Sequence, residues 1–389
     1  MHAHNRFKTI LMILVCFLAY IAYFGIHSPS IFSDDNKFEN LAETVKKEIK
    51  SNFETPKKVL ETSKTKELAI KHNTNKQPTL VSLTKRTLSN PENAANWNKL
   101  GQYQRRIGKL NEAIGSFEKV RSLGKKQNNK TTIAAALTNL GLTYKDQTNY
   151  KKAEQTQKAA LQLYKELNNQ QGIANNYNNL GRTYFLQGKT DKSIETLLKS
   201  LTINLDLKNQ NGMAQNFGNL GESYRVKGSL GEAEYAQTKS LEINTKLGNK
   251  SATIGNLINL GIIQGQNGHY PKAESSFFKA LSFNKQLNNK RNEAKIYSNL
   301  GHLYQLNKQY KKAEAIQLQS IKLNKQLGNK RGLAISTYNL AVVNLKTNQL
   351  QNACLNFKNA KSLFVATSQK RHLAKTNQYL SNLSCDLQN

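Results

Sequence analysis

The chain has 389 residues, with 57 Lys plus Arg against 25 Asp plus Glu, a formal net charge of +32 at pH 7. Its three cysteines imply no disulfide framework. Charge of this size bears on solubility and nonspecific association, not on fold, and at this length several globular domains would be possible.

Residues 1–9 are short and basic, with Arg6 and Lys8. Residues 10–26 carry no charge and are almost wholly apolar, close to the about 17–25 residues that span a bilayer. A cleaved signal peptide needs small residues at a cleavage site, and around Ala19 and Ala22 these are wrongly spaced. Tyr20, Tyr23 and Phe24 suit an interfacial aromatic belt instead. These features point to an uncleaved signal-anchor; a secreted form with a cleaved signal peptide is the alternative. Arg6 and Lys8 precede the span while Asp34 and Asp35 come after it, which keeps residues 1–9 cytoplasmic and places the rest outside, as in a bacterial inner-membrane protein facing the periplasm. Residues 27–90 read as a helical stalk or linker. Phe38, Leu41, Val45, Ile49 and Phe53 step by three or four, Pro56 interrupts, and Leu80, Leu83 and Leu88 form a short helix that caps the C-terminal region. Asn90-Pro91-Glu92 reads as the next helix start, with Asn as cap and Pro in the first turn.

From residue 91 onward one dipeptide recurs every 40 residues: Leu100-Gly101, Leu140-Gly141, Leu180-Gly181, Leu220-Gly221, Leu260-Gly261 and Leu300-Gly301, with Leu340-Ala341 keeping the beat. A fixed period in this range marks a solenoid, in which each unit buries its apolar face only against its neighbours. Three residues before each Leu stands a large residue: Trp97, Leu137, Tyr177, Phe217, Leu257 or Tyr297, with Thr337 in the last unit. Tyr144, Tyr184, Tyr224 and Tyr304 come three after the Gly, where Gln104, Gln264 and Asn344 stand in the other units. Twelve after the small residue comes Ala113, Ala153, Ser193, Ala233, Ala273, Ala313 or Ala353. Residues three and four apart share one helical face, so each unit opens with an amphipathic helix. Gly108, Gly188, Gly228 and Gly268, with Thr148, Lys308 and Asn348 as substitutes, break it from a second helix. Seven repeats start near Asn93, Lys130, Gln170, Gln210, Lys250, Lys290 and Lys330, and residues 372–387 keep the register as a terminal capping helix. Cys354 and Cys385 fall in adjacent units; reduced, buried thiols are the expectation, because nothing in the sequence fixes disulfide geometry, and a pair formed in an oxidising compartment is the alternative.

These residues resemble the tetratricopeptide repeat. Tyr177, Leu180, Gly181 and Tyr184 match the first half of its pattern, as do Phe217, Leu220, Gly221 and Tyr224; Ala273, Phe277 and Ala280 match the second half, as do Ala353, Phe357 and Ala360. The family's usual period is about 34, and the longer period here is similar to the branch seen in Pins-type G-protein modulators and kinesin light chains. Gln104 and Gln264 stand in the Tyr slot and Gln157, Gln237 and Gln317 where Phe is usual, so the pattern says less about the packing of those helices. The resemblance implies an all-α, right-handed superhelical solenoid over residues 91–389 with a concave groove for a protein or peptide partner.

Catalytic and metal-binding constellations are missing from the sequence. Of the seven His, only His2 and His4 are close together, and there is no phosphate-binding glycine loop or nucleophile elbow. The expectation is a non-enzyme without cofactor or metal. The residue before each Leu carries the functional signal: Lys99, then Asn139, Asn179, Asn219, Asn259, Asn299 and Asn339. Asn amides both donate and accept, so stacked repeats would align them as a ladder that pairs with the backbone of an extended peptide. Arg105, Lys145, Arg182 and Arg225 make the first half of the groove basic, while Ile258, Ile262, Tyr338 and Val342 make the second half apolar, which fits a ligand with acidic and hydrophobic parts. No nucleic-acid partner is expected, because the lysines spread over helix ends and second helices and the aromatics fill core slots. An anionic envelope polymer or membrane surface is the alternative partner.

Overall fold

The computed structural model describes residues 79–385, all within one compact unit, Lys76–Asn389. The expected cytoplasmic start at 1–9, the span at 10–26 and the stalk up to residue 78 lie outside the described residues. Among the described residues no helix is long and apolar enough to cross a membrane, and there is no strand.

Among the described residues sixteen helices succeed one another. A short α1 (Leu80–Ser89) precedes seven hairpins: α2 (Ala94–Arg106) with α3 (Leu110–Lys126), α4 (Lys130–Asp146) with α5 (Tyr150–Glu166), α6 (Gln170–Leu186) with α7 (Thr190–Asp206), α8 (Gln210–Lys227) with α9 (Leu230–Lys246), α10 (Lys250–Gln266) with α11 (Tyr270–Leu287), α12 (Lys290–Leu306) with α13 (Tyr310–Gln326), and α14 (Lys330–Lys346) with α15 (Leu350–Ala366). A final α16 (Lys370–Asn382) closes the series. Each helix packs on the next. First helices of successive hairpins also touch one another directly, whereas second helices make no comparable contact with each other. The first-helix layer is therefore the inner wall of the curve and the second-helix layer the outer wall.

The punctuation is regular. Every twentieth residue from Gly108 to Ser368 has a positive φ, and the N–H after it generally returns to a carbonyl five residues back, as in Lys189 N–H to the Tyr184 carbonyl at 2.9 Å and Asn249 N–H to the Asn244 carbonyl at 2.9 Å. These are Schellman closures. Glycine meets the need at Gly228 (φ 92°); Asn meets it at Asn168 (φ 53°) and Asn288 (φ 45°), since its short polar side chain tolerates the left-handed region. The next Asn often starts the following helix: Asn129, Asn169, Asn209 and Asn329 each accept from the N–H three residues on. The abundance of Asn is thus partly an abundance of turns and caps.

The Leu of the beat is buried in every repeat. The small residue after it is required by what faces it: a Cβ on Gly261 would meet the Phe277 ring at 2.7 Å. Along the chain that facing slot holds Phe117, Gln157, Leu197, Gln237, Phe277, Gln317 and Phe357, all fully or almost fully buried. The glutamines, which left the packing of those helices open in the sequence, are fully buried in this slot. Gln157 Oε1 accepts from Thr183 Oγ1 at 2.9 Å. Gln237 Nε2 donates to the Gly218 carbonyl at 2.8 Å and its Oε1 accepts from Asn256 at 2.9 Å. Gln317 Nε2 donates to the Ser298 carbonyl at 2.9 Å. Gln237 is bonded at both ends of its amide, whereas Gln157 Nε2 and Gln317 Oε1 are buried without a partner, an arrangement that costs stability.

Three further expectations change. Leu83 is buried under α1 but Leu88 points outward, 71% exposed. Asn90 ends α1 and Asn93 caps α2, so Pro91 and Glu92 lie in the turn, where the Pro91 carbonyl accepts from Trp97 Nε1 at 2.9 Å. Cys354 and Cys385 form a disulfide with Cα atoms 5.5 Å apart, not two free thiols. Packing of α16 against α15 brings the pair together, over a sequence separation of 31 that no local spacing rule covers.

Candidate peptide-binding wall

All six Asn of the proposed ladder lie half-buried on first helices, but they are not equivalent. Asn139 Nδ2 donates to Asn98 Oδ1 at 2.8 Å, Asn219 Nδ2 to Asn178 Oδ1 at 2.8 Å, and Asn339 Nδ2 to Ser298 Oγ at 3.5 Å. Each acceptor is 41 residues earlier, one place before the ladder position of the preceding repeat. These bonds tie neighbouring first helices together. Where the earlier residue offers no acceptor the bond is missing. The residue 41 places before Asn259 is Gly218 and that before Asn299 is Ile258, and Asn299 turns back to the Lys295 carbonyl at 3.1 Å. Thr138 is engaged with Asn176, which leaves Asn179 without it. Among the described residues, Asn179 and Asn259 make no side-chain hydrogen bond. The ladder expected from sequence is thus part fastening and part open.

The fastened members reach into the core. Asn178 also accepts from Asn216 Nδ2 at 3.2 Å, and Asn216 Oδ1 accepts from Asn204 Nδ2 at 2.8 Å and Ser200 Oγ at 3.3 Å. Asn204 and Asn216 are buried, so this is a satisfied polar network crossing α6, α7 and α8, of the kind that fixes one arrangement of its helices.

Of the four basic candidates, three come together. Arg105 Nε bonds Asp146 Oδ2 at 2.9 Å. Lys145 is held below its ordinary pKa, first by burial, then by the positive charges of Arg182 and Arg105, with Asp146 acting the other way. Three cations around one carboxylate leave an excess of positive charge on the wall formed by α2, α4 and α6. Arg225, on α8, is not among the charges acting on Lys145. The apolar second half is smaller than expected: Ile258 and Val342 are absorbed into the core, and Tyr338 lies edge-on to Phe357, Phe364 and Tyr379, its hydroxyl pushed up to about 12 by burial and then by Tyr379. Ile262 is half-buried and packs with its inner part against the cluster of Ile258, Phe277 and Leu303, so only its outer part faces the wall.

Two roles are not apparent from the sequence alone. Asn98, Asn178 and Ser298 decide which ladder amides are engaged; their signal is a polar residue 41 places before each Asn. Glu154 and Glu274 hold successive repeats together by accepting from the tyrosines of the next first helix, Tyr184 at 3.3 Å and Tyr304 at 2.6 Å. The spacing of 30 residues in both pairs is the available signal. Burial pushes the Glu154 carboxyl up, but hydrogen bonds from Lys158 and Gln187 and the charges of Lys158 and Lys189 outweigh it and hold it at about 2. Among the described residues no cluster of His, Cys, Asp or Glu is arranged to hold a metal ion.

A tetratricopeptide-repeat family model matches residues 132–206 and 292–360. No curated protein sequence matches the chain. Among solved structures, the apo form of RapI superposes with a TM-score of 0.56 at 16% identity, over 71% of this chain and 99% of that one. A signal-transduction ATPase with a tetratricopeptide repeat sensor from Pyrococcus horikoshii gives 0.58 at 16%, over 79% and 50%. A tetratricopeptide repeat protein from Parabacteroides merdae gives 0.52 at 18%, over 73% and 98%. At these identities the likeness is one of fold: the described residues form an all-α solenoid of tetratricopeptide type.

Proposed function

We propose that the solenoid is a non-catalytic scaffold that holds an extended segment of a partner protein along its inner wall. The observation that carries this reading is the pair of unengaged amides, Asn179 and Asn259, in a register where Asn139, Asn219 and Asn339 are already bonded. An amide that has no neighbour to satisfy, on a wall half open to solvent, can pair with a peptide backbone without reading its sequence. The positive excess at Arg105, Lys145 and Arg182 lies on the same wall and suits an acidic stretch of that peptide, with the solvent-facing part of half-buried Ile262 for an apolar residue beyond it.

We infer further that residues 10–26 tether the chain to a membrane and that the solenoid works on the extracytoplasmic side. The Cys354–Cys385 disulfide supports this placement, since such bonds persist in oxidising compartments and are rare where thiols are kept reduced.

Site-directed photocrosslinking of the full chain in its own membranes tests the reading. A crosslinker replacing Arg182 or Ile262, on the inner wall, is expected to trap a discrete partner. One replacing Gln155, on the outer wall, is not. The adduct should vanish with Asn179→Ala plus Asn259→Ala while helicity is unchanged. Adducts of equal yield from both walls, or insensitive to the double variant, would refute it.

A further inference from the structure

The outer wall changes character along the chain. On α11, α13 and α15 there are three, four and two lysines, against one glutamate each on α11 and α13. Both glutamates are half-buried, and Glu274 is occupied by the Tyr304 hydroxyl. No exposed carboxylate remains on these three helices. The outer helices α3, α5 and α7 are different: exposed Glu112, Glu166, Asp191 and Glu195 are interspersed with their lysines.

The same basic stretch carries large apolar side chains in the open. Phe278 is 50% exposed, Leu318 50% and Leu355 58%. Phe278 and Leu318 are 40 residues apart and occupy the same slot on successive outer helices; Leu355 sits three residues before that slot on the next, one helical turn away on the same face. Exposed Lys279, Lys322 and Lys361 flank this row. The fold does not need the row, because the core is already filled by Phe277, Ala280, Phe357 and Ala360 from the opposite faces of α11 and α15.

We propose that the outer face of α11, α13 and α15 docks on a bilayer leaflet containing anionic phospholipid, with Phe278, Leu318 and Leu355 entering the headgroup–acyl boundary and the lysines meeting lipid phosphates. Apolar side chains set in a lysine field are the composition that interfacial binding uses: the apolar area drives shallow insertion and the charge draws the face to an anionic surface. Aliphatic Leu318 and Leu355 offer no stacking surface to bases, which argues against a nucleic acid. A second copy would bring two faces of the same sign together, which repel. Docking on the outer wall leaves the inner wall open to a partner, so this inference stands independently of the peptide reading.

The test uses the unit Lys76–Asn389, which is compact by itself and capped at both ends by α1 and the disulfide-linked α16, and which lacks residues 10–26. Sedimentation with vesicles of phosphatidylcholine and phosphatidylglycerol in equal parts is expected to pull the protein down at least tenfold more strongly than phosphatidylcholine alone. Phe278→Ser, Leu318→Ser and Leu355→Ser together should remove at least tenfold of that binding with helicity unchanged, whereas Asn179→Ala plus Asn259→Ala should not alter it. In a separate Phe278→Trp variant, the added emission should shift to the blue on anionic vesicles. Equal binding to both vesicle types, indifference to the serine variant, or a dimer in solution that the serine variant dissociates would each overturn the proposal, the last by assigning the face to a second copy.

Discussion

The first three hairpins and the last three repeat the same backbone beat and differ in what they show to solvent. In α2–α7 the inner wall is basic, through Arg105, Lys145 and Arg182, and the outer wall mixes carboxylates with lysines. In α10–α15 the positions in register with Arg105 and Lys145 hold Gly265, Gln305 and Leu345, and those in register with Arg182 hold Ile262, His302 and Val342, while the outer wall becomes basic and apolar. A solenoid separates these demands. Core slots and left-handed turns every twenty residues fix the scaffold, and each wall is then free to carry its own chemistry, since every repeat answers only to its neighbours.

The contrast is most exposed to test in the core, where Phe277 in one half and Gln157 in the other face the same kind of glycine. Phe277→Ala should cost about 4 kcal/mol through the cavity it leaves. Gln157→Ala should cost about 2 kcal/mol, since it removes a smaller group and the partner of Thr183. Urea denaturation monitored by helicity measures both, and equal losses would mean the amide slot packs no differently from the aromatic one. Reducing Cys354–Cys385 should lower stability by about 4 kcal/mol, as for a loop of this size, confined to the C-terminal hairpin and seen as faster amide exchange in α16. In intact cells both thiols should resist maleimide until a reductant is added; ready labelling without it would speak against an oxidising compartment.

The beat, the buried Leu, the breaker positions and the helical class are all legible in the sequence, because each depends on residues within one repeat or on a strict 40-residue register. The features that escape it depend on pairs. Asn219 is fastened by Asn178, whereas the residue in that place before Asn259 is Gly218, which has no side chain to accept. Gln157 reads as a poor core residue until Thr183 is placed against it. Cys354 and Cys385 pair only because α16 folds back on α15. The convergence of Arg105, Lys145 and Arg182 crosses three helices, and Arg225, equally plausible in sequence, is left out of it.

Smaller effects sharpen the comparison further. Asn219→Ala should destabilise by about 1 kcal/mol, the worth of one hydrogen bond in a connected network, whereas Asn179→Ala should change thermal stability little and act on partner capture alone. Glu154 gives the first half a pH dependence. Its folded pKa is depressed to about 2, so its contribution is present above the ordinary carboxylate range and is lost as pH falls through about 2. Discounted for partial exposure, it amounts to about 1 kcal/mol. Melting temperature should therefore drop less steeply below about pH 4.5, the ordinary carboxylate value, in Glu154→Gln than in the parent; parallel curves would show that Glu154 contributes nothing to this dependence.

The most direct measurement is selection of random extended peptides by the unit Lys76–Asn389, followed by their binding to Asn179→Ala plus Asn259→Ala. Selected peptides should join acidic residues to an apolar one, with affinity lost in the double variant and weakened by Arg182→Ala. Selection of peptides without acidic residues, or affinity that survives the double variant, would contradict an inner wall that grips its partner through open amides.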